Sequence, residues 1–356
     1  MTSSRSALGF TIASSIAFGL LGFAGCRGDF VGGATSGGGD AAGGGSSSEN
    51  GSGGGLLGLV CPVPGDSPPL GCEGIDSTIG EMSRGELGLD TTVTIEGVVA
   101  MSQKFLLSQS RATGSCLYGL FVSEQVEETA ANTGMLVVSF GAPAFIPVGE
   151  TRAVCAKIGQ EPGCDAIPDD VKPGDVLTVT GTSQIFPNPP TNCSGDDPDN
   201  QVGMRQLSGT CYVERTGTAT IPRPHVLTPE EVVRISSTTD AEFHNSWGAV
   251  KVRTENVGVI PSGDEVVGGF GIITLDNGIH VGNKIYYRPY SENKCHAQPD
   301  FPNTSIVFER VDGFHYLNFC TWGIEPNDKC GDYSPGSADC NQQLSCPPDI
   351  LPGAQP

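Results

Sequence analysis

Thirteen cysteines stand in this 356-residue chain, and they are the side chains with the most definite chemistry. An odd count leaves one thiol outside any complete set of internal bridges. Setting Cys26 apart leaves Cys61, Cys72, Cys116, Cys155, Cys164, Cys193, Cys211, Cys295, Cys320, Cys330, Cys340 and Cys346, enough for six disulfides. Such bridges persist in oxidising compartments, a periplasm or a cell surface. Spacing points to short loops: Cys61 with Cys72, Cys155 with Cys164, and Cys330 with Cys340 or Cys346. Cys295 is within reach of Cys320 and Cys193 of Cys211, with Cys116 a rival partner for either of the last two. Spacing alone leaves the connectivity open.

Other chemistry is sparser. Asp196, Asp197, Asp199 and Asn200 crowd oxygen ligands onto one loop, which makes them calcium candidates, since calcium takes six to eight oxygens. The run lacks the turn glycine and closing glutamate of an EF-hand, and a solvated turn is the plain alternative. The five histidines show no His-x-x-x-His spacing, and no Cys-x-x-Cys pair occurs, so zinc is not expected. Neither a Gly-x-Ser-x-Gly elbow nor a Walker loop is present. The chain is therefore expected to be non-catalytic and to carry no cofactor beyond possible calcium. Phe105, Tyr118, Phe121 and Tyr212 are candidates for an aromatic stacking face, with core packing as the competing fate. The formal charge of −21 repels phosphate backbones, and no nucleic-acid partner is expected.

Residues 1–25 read as a signal segment: Arg5 is the one charge, and Ala7 to Phe23 is apolar or small. The segment ends at Phe23-Ala24-Gly25-Cys26, which resembles the lipobox of bacterial lipoproteins, with Phe in place of the usual Leu. The resemblance implies a diacylglyceryl group on Cys26 and a membrane partner reached through that lipid. Arg27 differs from the Asp that retains such proteins in the inner membrane of enteric bacteria, so the outer membrane or cell surface is expected. Residues 26–57 are rich in Gly and Ser and cannot bury enough apolar surface to order themselves, so a flexible tether is expected.

The remainder must position whatever the chain presents, and its patterns are extended. Val93 to Ala100 and Val176 to Gly181 begin with apolar–polar alternation, whereas Gly119 to Val122 and Met135 to Phe140 are short apolar runs. Thr228-Pro229-Glu230-Glu231 reads as a capped helix start, with a second near Thr78. Ala249 to Val257 and Gly271 to Leu275 then repeat the strand pattern, followed by a turn at Asp276-Asn277-Gly278 and strands near Ile306 and Tyr316. An all-β fold follows: two small barrels or sandwiches in tandem, residues 58–227 and 228–330, joined by a short helix, with a Cys-containing tail at 331–356. One larger all-β domain is the alternative.

Three segments carry a further resemblance: Glu96-Gly97-Val98-Val99, Tyr118-Gly119-Leu120-Phe121-Val122, and Gly174-Asp175-Val176 running to Gly181. In that order they resemble the OB-type Greek-key barrels found beside exported bacterial nucleases and in surface lipoproteins. Trp247-Gly248-Ala249-Val250 and Glu255-Asn256-Val257 look like a companion barrel. The loop from Glu124 to Lys172 is read as unusually long for that family, and no nuclease domain accompanies the barrels. The resemblance implies a binding module whose ligand, whether small molecule, glycan or protein, stays open. A degenerate hydrolase accessory and a purely structural envelope protein are the alternatives.

Overall fold

The computed structural model describes residues 68–109, 115–143, 155, 165–186, 203–237, 239–268, 271–287, 297–318 and 321–342. Cys26, the Gly/Ser-rich stretch, the calcium candidates Asp196, Asp197, Asp199 and Asn200, and Cys61, Cys164, Cys193, Cys295, Cys320 and Cys346 lie outside them.

The first sheet contains β1 (Ile75–Ser77), β2 (Thr92–Ala100), β3 (Phe105–Gln109), β4 (Ser115–Ser123), β5 (Gly134–Pro143), β6 (Asp175–Phe186) and β7 (Met204–Thr218), with α1 (Ile79–Ser83) after β1. The second contains β8 (His225–Val226), β9 (Lys251–Ile260), β10 (Ile273–Leu275), β11 (His280–Val281), β12 (Val307–Asn318), β13 (Thr321–Glu325) and β14 (Tyr333–Ser334). Here α2 (Pro229–Ile235) and α3 (Ala241–Trp247) follow β8. The fold is all-β in two units.

Both sheets close on themselves. In the first, β2, β6, β7, β5 and β4 form a ring, because β4 returns to pair with the end of β2. In the second, β9, β12, β13, β11 and β10 do the same. Each ring has one parallel pair, β5 with β7 and β11 with β13. Each also carries a short outer strand parallel to its first long one, β1 on β2 and β8 on β9.

Local sequence explains why the two units match. In both, the outer strand is followed by Thr-x-x-Glu, at Thr78/Glu81 and Thr228/Glu231. Glu81 Oε2 accepts from the Thr78 N–H at 2.9 Å, and Glu231 Oε2 from the Thr228 N–H at 2.8 Å. A reciprocal cap of this kind satisfies helix donors that would otherwise be orphaned. In both long strands a glutamate precedes a residue with positive φ, Gly97 at +72° and Asn256 at +52°. Glycine and asparagine tolerate that conformation, and in β2 the register against β6 shifts by one residue there, a bulge that bends the strand around the barrel, whereas β9 keeps its register against β12.

Each ring has its own apolar interior, built from Ile95, Leu120, Val137 and Leu177 in the first and Val252, Leu275, Phe308 and Ile324 in the second. A third cluster joins the two barrels: Phe105, Phe121, Leu136 and Met204 pack against Ala249, Phe314, Tyr316 and Trp322. The Phe121 and Phe314 rings stack with centroids 4.3 Å apart, and Tyr316 meets Phe121 edge-on at 5.9 Å. The backbones also touch: a Cβ on Gly134 would lie 2.5 Å from the Ala249 carbonyl oxygen. Only glycine allows that approach.

Several expectations are corrected. Cys72 bonds Cys211, 139 residues away, instead of Cys61, which also removes Cys211 from Cys193. Cys155 bonds Cys116, not Cys164. Cys330 bonds Cys340, one of the two partners expected. The stretch from Glu124 to Lys172 is not one loop, since β5 occupies its middle. The strands near Ile306 and Tyr316 are one strand, β12, whose hairpin partner is β13. Residues 331–342 are not a tail: Tyr333 is buried on β12 through β14, and a 3-10 helix over Ala338–Gln342 packs beside residue 300.

Candidate functional site

Burial overturns the aromatic face. Phe105, Tyr118 and Phe121 are almost wholly enclosed, and Tyr212 nearly so. Strand β4 carries apolar residues on both faces, because its inner face lines the first barrel and its outer face meets the second. Phe121 points into that joint, whereas Tyr118 lies under the Lys104 ammonium, 4.7 Å from the ring centre. No stacking platform is left on these four residues.

An open cleft of about 760 Å³ lies on the second barrel. One wall is the β9–β10 connection, with Asp264, Glu265 and Val266, and the other is the segment from Gln298 to Pro302, with Tyr287 between. A tight turn shapes the first wall: the Ser262 N–H donates to the Glu265 carbonyl at 2.9 Å, and Gly263 takes a φ of +66°. The second wall is pinned from behind. The Asp300 N–H donates to Ser337 Oγ at 2.8 Å, and the Asp300 carbonyl accepts from the Ala338 N–H at 2.8 Å. Phe301 is buried under that wall against Phe308, at 5.0 Å between ring centres. Asn283 Nδ2 donates to Gln298 Oε1 at 2.8 Å, which fixes the Gln298 amide at the cleft. Fixed walls, an aromatic ring, a held amide and carboxylates at the rim suit recognition of a polar organic ligand.

Buried charges elsewhere serve packing. The Lys104 ammonium donates to Asp165 at 2.6 Å, to Asp169 at 2.5 Å and to the Ile167 carbonyl at 2.9 Å, so all three protons are used. Burial pushes the Asp165 carboxyl upward, and the ammonium beside it pulls back. In the second barrel Glu325 is enclosed, accepts from the Lys284 N–H at 2.9 Å and from Asn318 Nδ2 at 3.0 Å, and is pushed up to about 7, chiefly by loss of water. Asp332 collects Lys251 and the amides of Asn327 and Asp328, and Asp312 collects Arg253 and Arg310. Among the described residues no group of three or more metal-ligating side chains converges.

Sequence reading missed one pairing. His244 on α3 and His315 on β12, 71 residues apart, meet at 2.9 Å between Nδ1 and Nε2, fully buried beside Trp322. No local motif marks them, because helix and strand each contribute a single histidine.

No family model matches the chain, and neither a curated protein nor a solved structure matches it.

Proposed function

We propose that this chain is an exported lipoprotein, held to a membrane by acyl groups on Cys26, whose two OB-type barrels form a non-catalytic binding module with its ligand face on the second barrel. In both rings the strands, numbered in chain order, run 1-2-3-5-4 and back to 1, with the third and fifth parallel. That is the order of an OB-type Greek-key barrel, a fold that binds oligosaccharides and oligonucleotides over its second and third strands and the adjoining loops. The observation that carries the reading is asymmetric. The outer face of β4, a second ring strand, is sealed in the joint, whereas the loop after β9, which leads to β10, opens onto the cleft. The ligand is read as a polar small molecule, glycan or peptide. Nucleic acid is not favoured, given the charge of −21.

The exported half of the proposal draws on Cys26 and on three disulfides among the described residues, which fit an oxidising compartment. Two measurements test it. Intact-mass analysis of the mature protein should find acyl chains on an N-terminal Cys26, and Cys26→Ser should leave the membrane fraction after a carbonate wash. Retention of the serine variant in that fraction overturns the anchor. For the cleft, the mature protein is titrated with soluble chito- and cello-oligosaccharides and short peptides while backbone amide shifts are followed. Saturable shifts confined to Glu265, Gly271, Tyr287 and Gln298 support the site, and shifts centred on any other surface reject it.

A further inference from the structure

We propose that His244 and His315 form a one-proton latch that locks α3 into the joint between the barrels and opens when a second proton arrives. The argument begins with a count of hydrogens. His244 Nε2 faces the Ser237 carbonyl at 2.6 Å, and His315 Nδ1 faces the Gly323 carbonyl at 3.1 Å. Carbonyl oxygens only accept, so both outer nitrogens must carry hydrogen. Two neutral imidazoles hold two hydrogens in total, and those are then spent. The central contact, His244 Nδ1 to His315 Nε2 at 2.9 Å, would set lone pair against lone pair. One added proton completes the chain from Ser237 through both rings to Gly323. A second would set N–H against N–H between two buried cations.

The surroundings admit one positive charge only against the cost of burial and oppose a second. Trp322 lies parallel to His244 with ring centres 3.9 Å apart, and 4.6 Å from His315, so its electron-rich face covers both. Phe243 closes another side, edge-on to His315. The charged groups that act on His244 are Asp240, which favours the cation, and Arg234, which opposes it; on His315 the acting charge is His244 itself. Burial is the largest influence on each ring, drawing His244 down to about 4 and His315 well below the ordinary value. The proton therefore enters only in acid.

The latch sits where release has consequences. The His315 carbonyl accepts from the Ala249 N–H at 2.7 Å, and the Ser246 carbonyl on α3 accepts from Asn132 N–H of the first barrel at 2.6 Å. Trp322 belongs to the cluster that joins the barrels. Expelling α3 removes one wall of that joint.

The test uses the full chain with Trp247→Phe, which leaves Trp322 as its single indole. A charged imidazole in face contact quenches indole emission. Emission should fall roughly twofold in a one-proton step on the acid side of 6.5, with near-UV circular dichroism still native. Two-bond proton–nitrogen spectra of the wild-type histidine rings should count two protonated nitrogens in the pair above the step and three below it. At a still lower pH, where the second proton arrives, the α3 amides should exchange before those of β12. Four protonated nitrogens in the folded protein, a step at the free-histidine value, or unfolding before any ring nitrogen changes overturns the proposal. So does simultaneous exchange of α3 and β12. His315→Gln in the same background should abolish the emission step; if that variant does not fold, the nitrogen count in the wild type decides.

Discussion

In the first barrel β4 and β5 run nine and ten residues, whereas β10 and β11, at the same ring positions in the second, run three and two. Long strands give the first barrel a deep interior, and two covalent bridges, Cys72–Cys211 and Cys116–Cys155, tie its outer parts to β7 and β4. The second has little ladder at those positions and, besides the Cys330–Cys340 bridge, carries ionic contacts on its wall and on the segment after β13. Lys251 reaches Asp332 at 2.8 Å, Arg253 reaches Asp312 at 2.6 Å, and Lys329 reaches Asp339 at 2.5 Å. Lys251–Asp332 binds residues 326–342 to the barrel wall, Arg253–Asp312 ties β9 to β12, and Lys329–Asp339 braces the segment itself. One ring plan therefore tolerates both long and short ladders, and shortened strands leave room for a cleft where long ones would cover it.

The comparison breaks most sharply at the cross-links. Replacing Cys72 and Cys211 together by serine should cost about 4–5 kcal/mol, because the bridge closes a long loop in the unfolded chain. The same change at Cys330 and Cys340 should cost about 3 kcal/mol, since only ten residues separate them. Urea titration of the two variants checks the order, and equal losses would mean that loop closure is not what the bridges supply.

Lys104→Met should cost about 3–5 kcal/mol by stranding the Asp165 carboxylate without its ammonium. Lys251→Met should cost less, since Asp332 keeps two backbone donors. Thermal unfolding of both at neutral pH reads the difference.

The joint decides whether the barrels melt as one. Phe314→Ala should cost about 3–4 kcal/mol, and a double-mutant cycle with Phe121→Ala should return a coupling of about 1 kcal/mol for the stacked pair. A single calorimetric transition is expected in the wild type, with two resolved transitions in the double variant.

A pH response also distinguishes the second barrel. Glu325 is held up near 7 in the folded state, above the 4.5 of an unfolded chain. The unfolded chain therefore loses its proton first as pH rises, so Glu325 favours folding below 4.5, and that stability is lost progressively between 4.5 and 7. The full loss is on the order of 3 kcal/mol. Glu325→Gln should flatten that decline, as seen by denaturation midpoints at pH 5 and pH 8. An unchanged slope would show that the carboxyl is charged in place at neutral pH.

Legibility from sequence varied with the range of the interaction. Val93 and Ile95 announced β2 by alternation, and Thr228 with Glu231 announced α2, because a strand face and a helix cap are written within a few residues. Strand β7, the longest described, escaped notice: Arg205, Gln206, Glu214 and Arg215 interrupt its apolar positions, and two bulges against β6 break its alternation. Helix α3 was missed too, since its seven residues show one capping aspartate and no repeat of the apolar period.

Composition and local pattern by themselves determined that the chain is strand-rich, acidic and cysteine-rich, and they favoured two blocks, with Glu-Gly-Val and Glu-Asn-Val in corresponding strands at 96–98 and 255–257. Which cysteines bond, that Phe121 is a joint residue and not a stacking face, and that His244 finds His315 were decided only when the rings closed. Alternation reports on neighbours one or two residues apart, whereas these contacts bridge 10 to 193 residues. They exist because a closed five-strand ring brings its first and fourth strands together and offers its outer wall to a second ring.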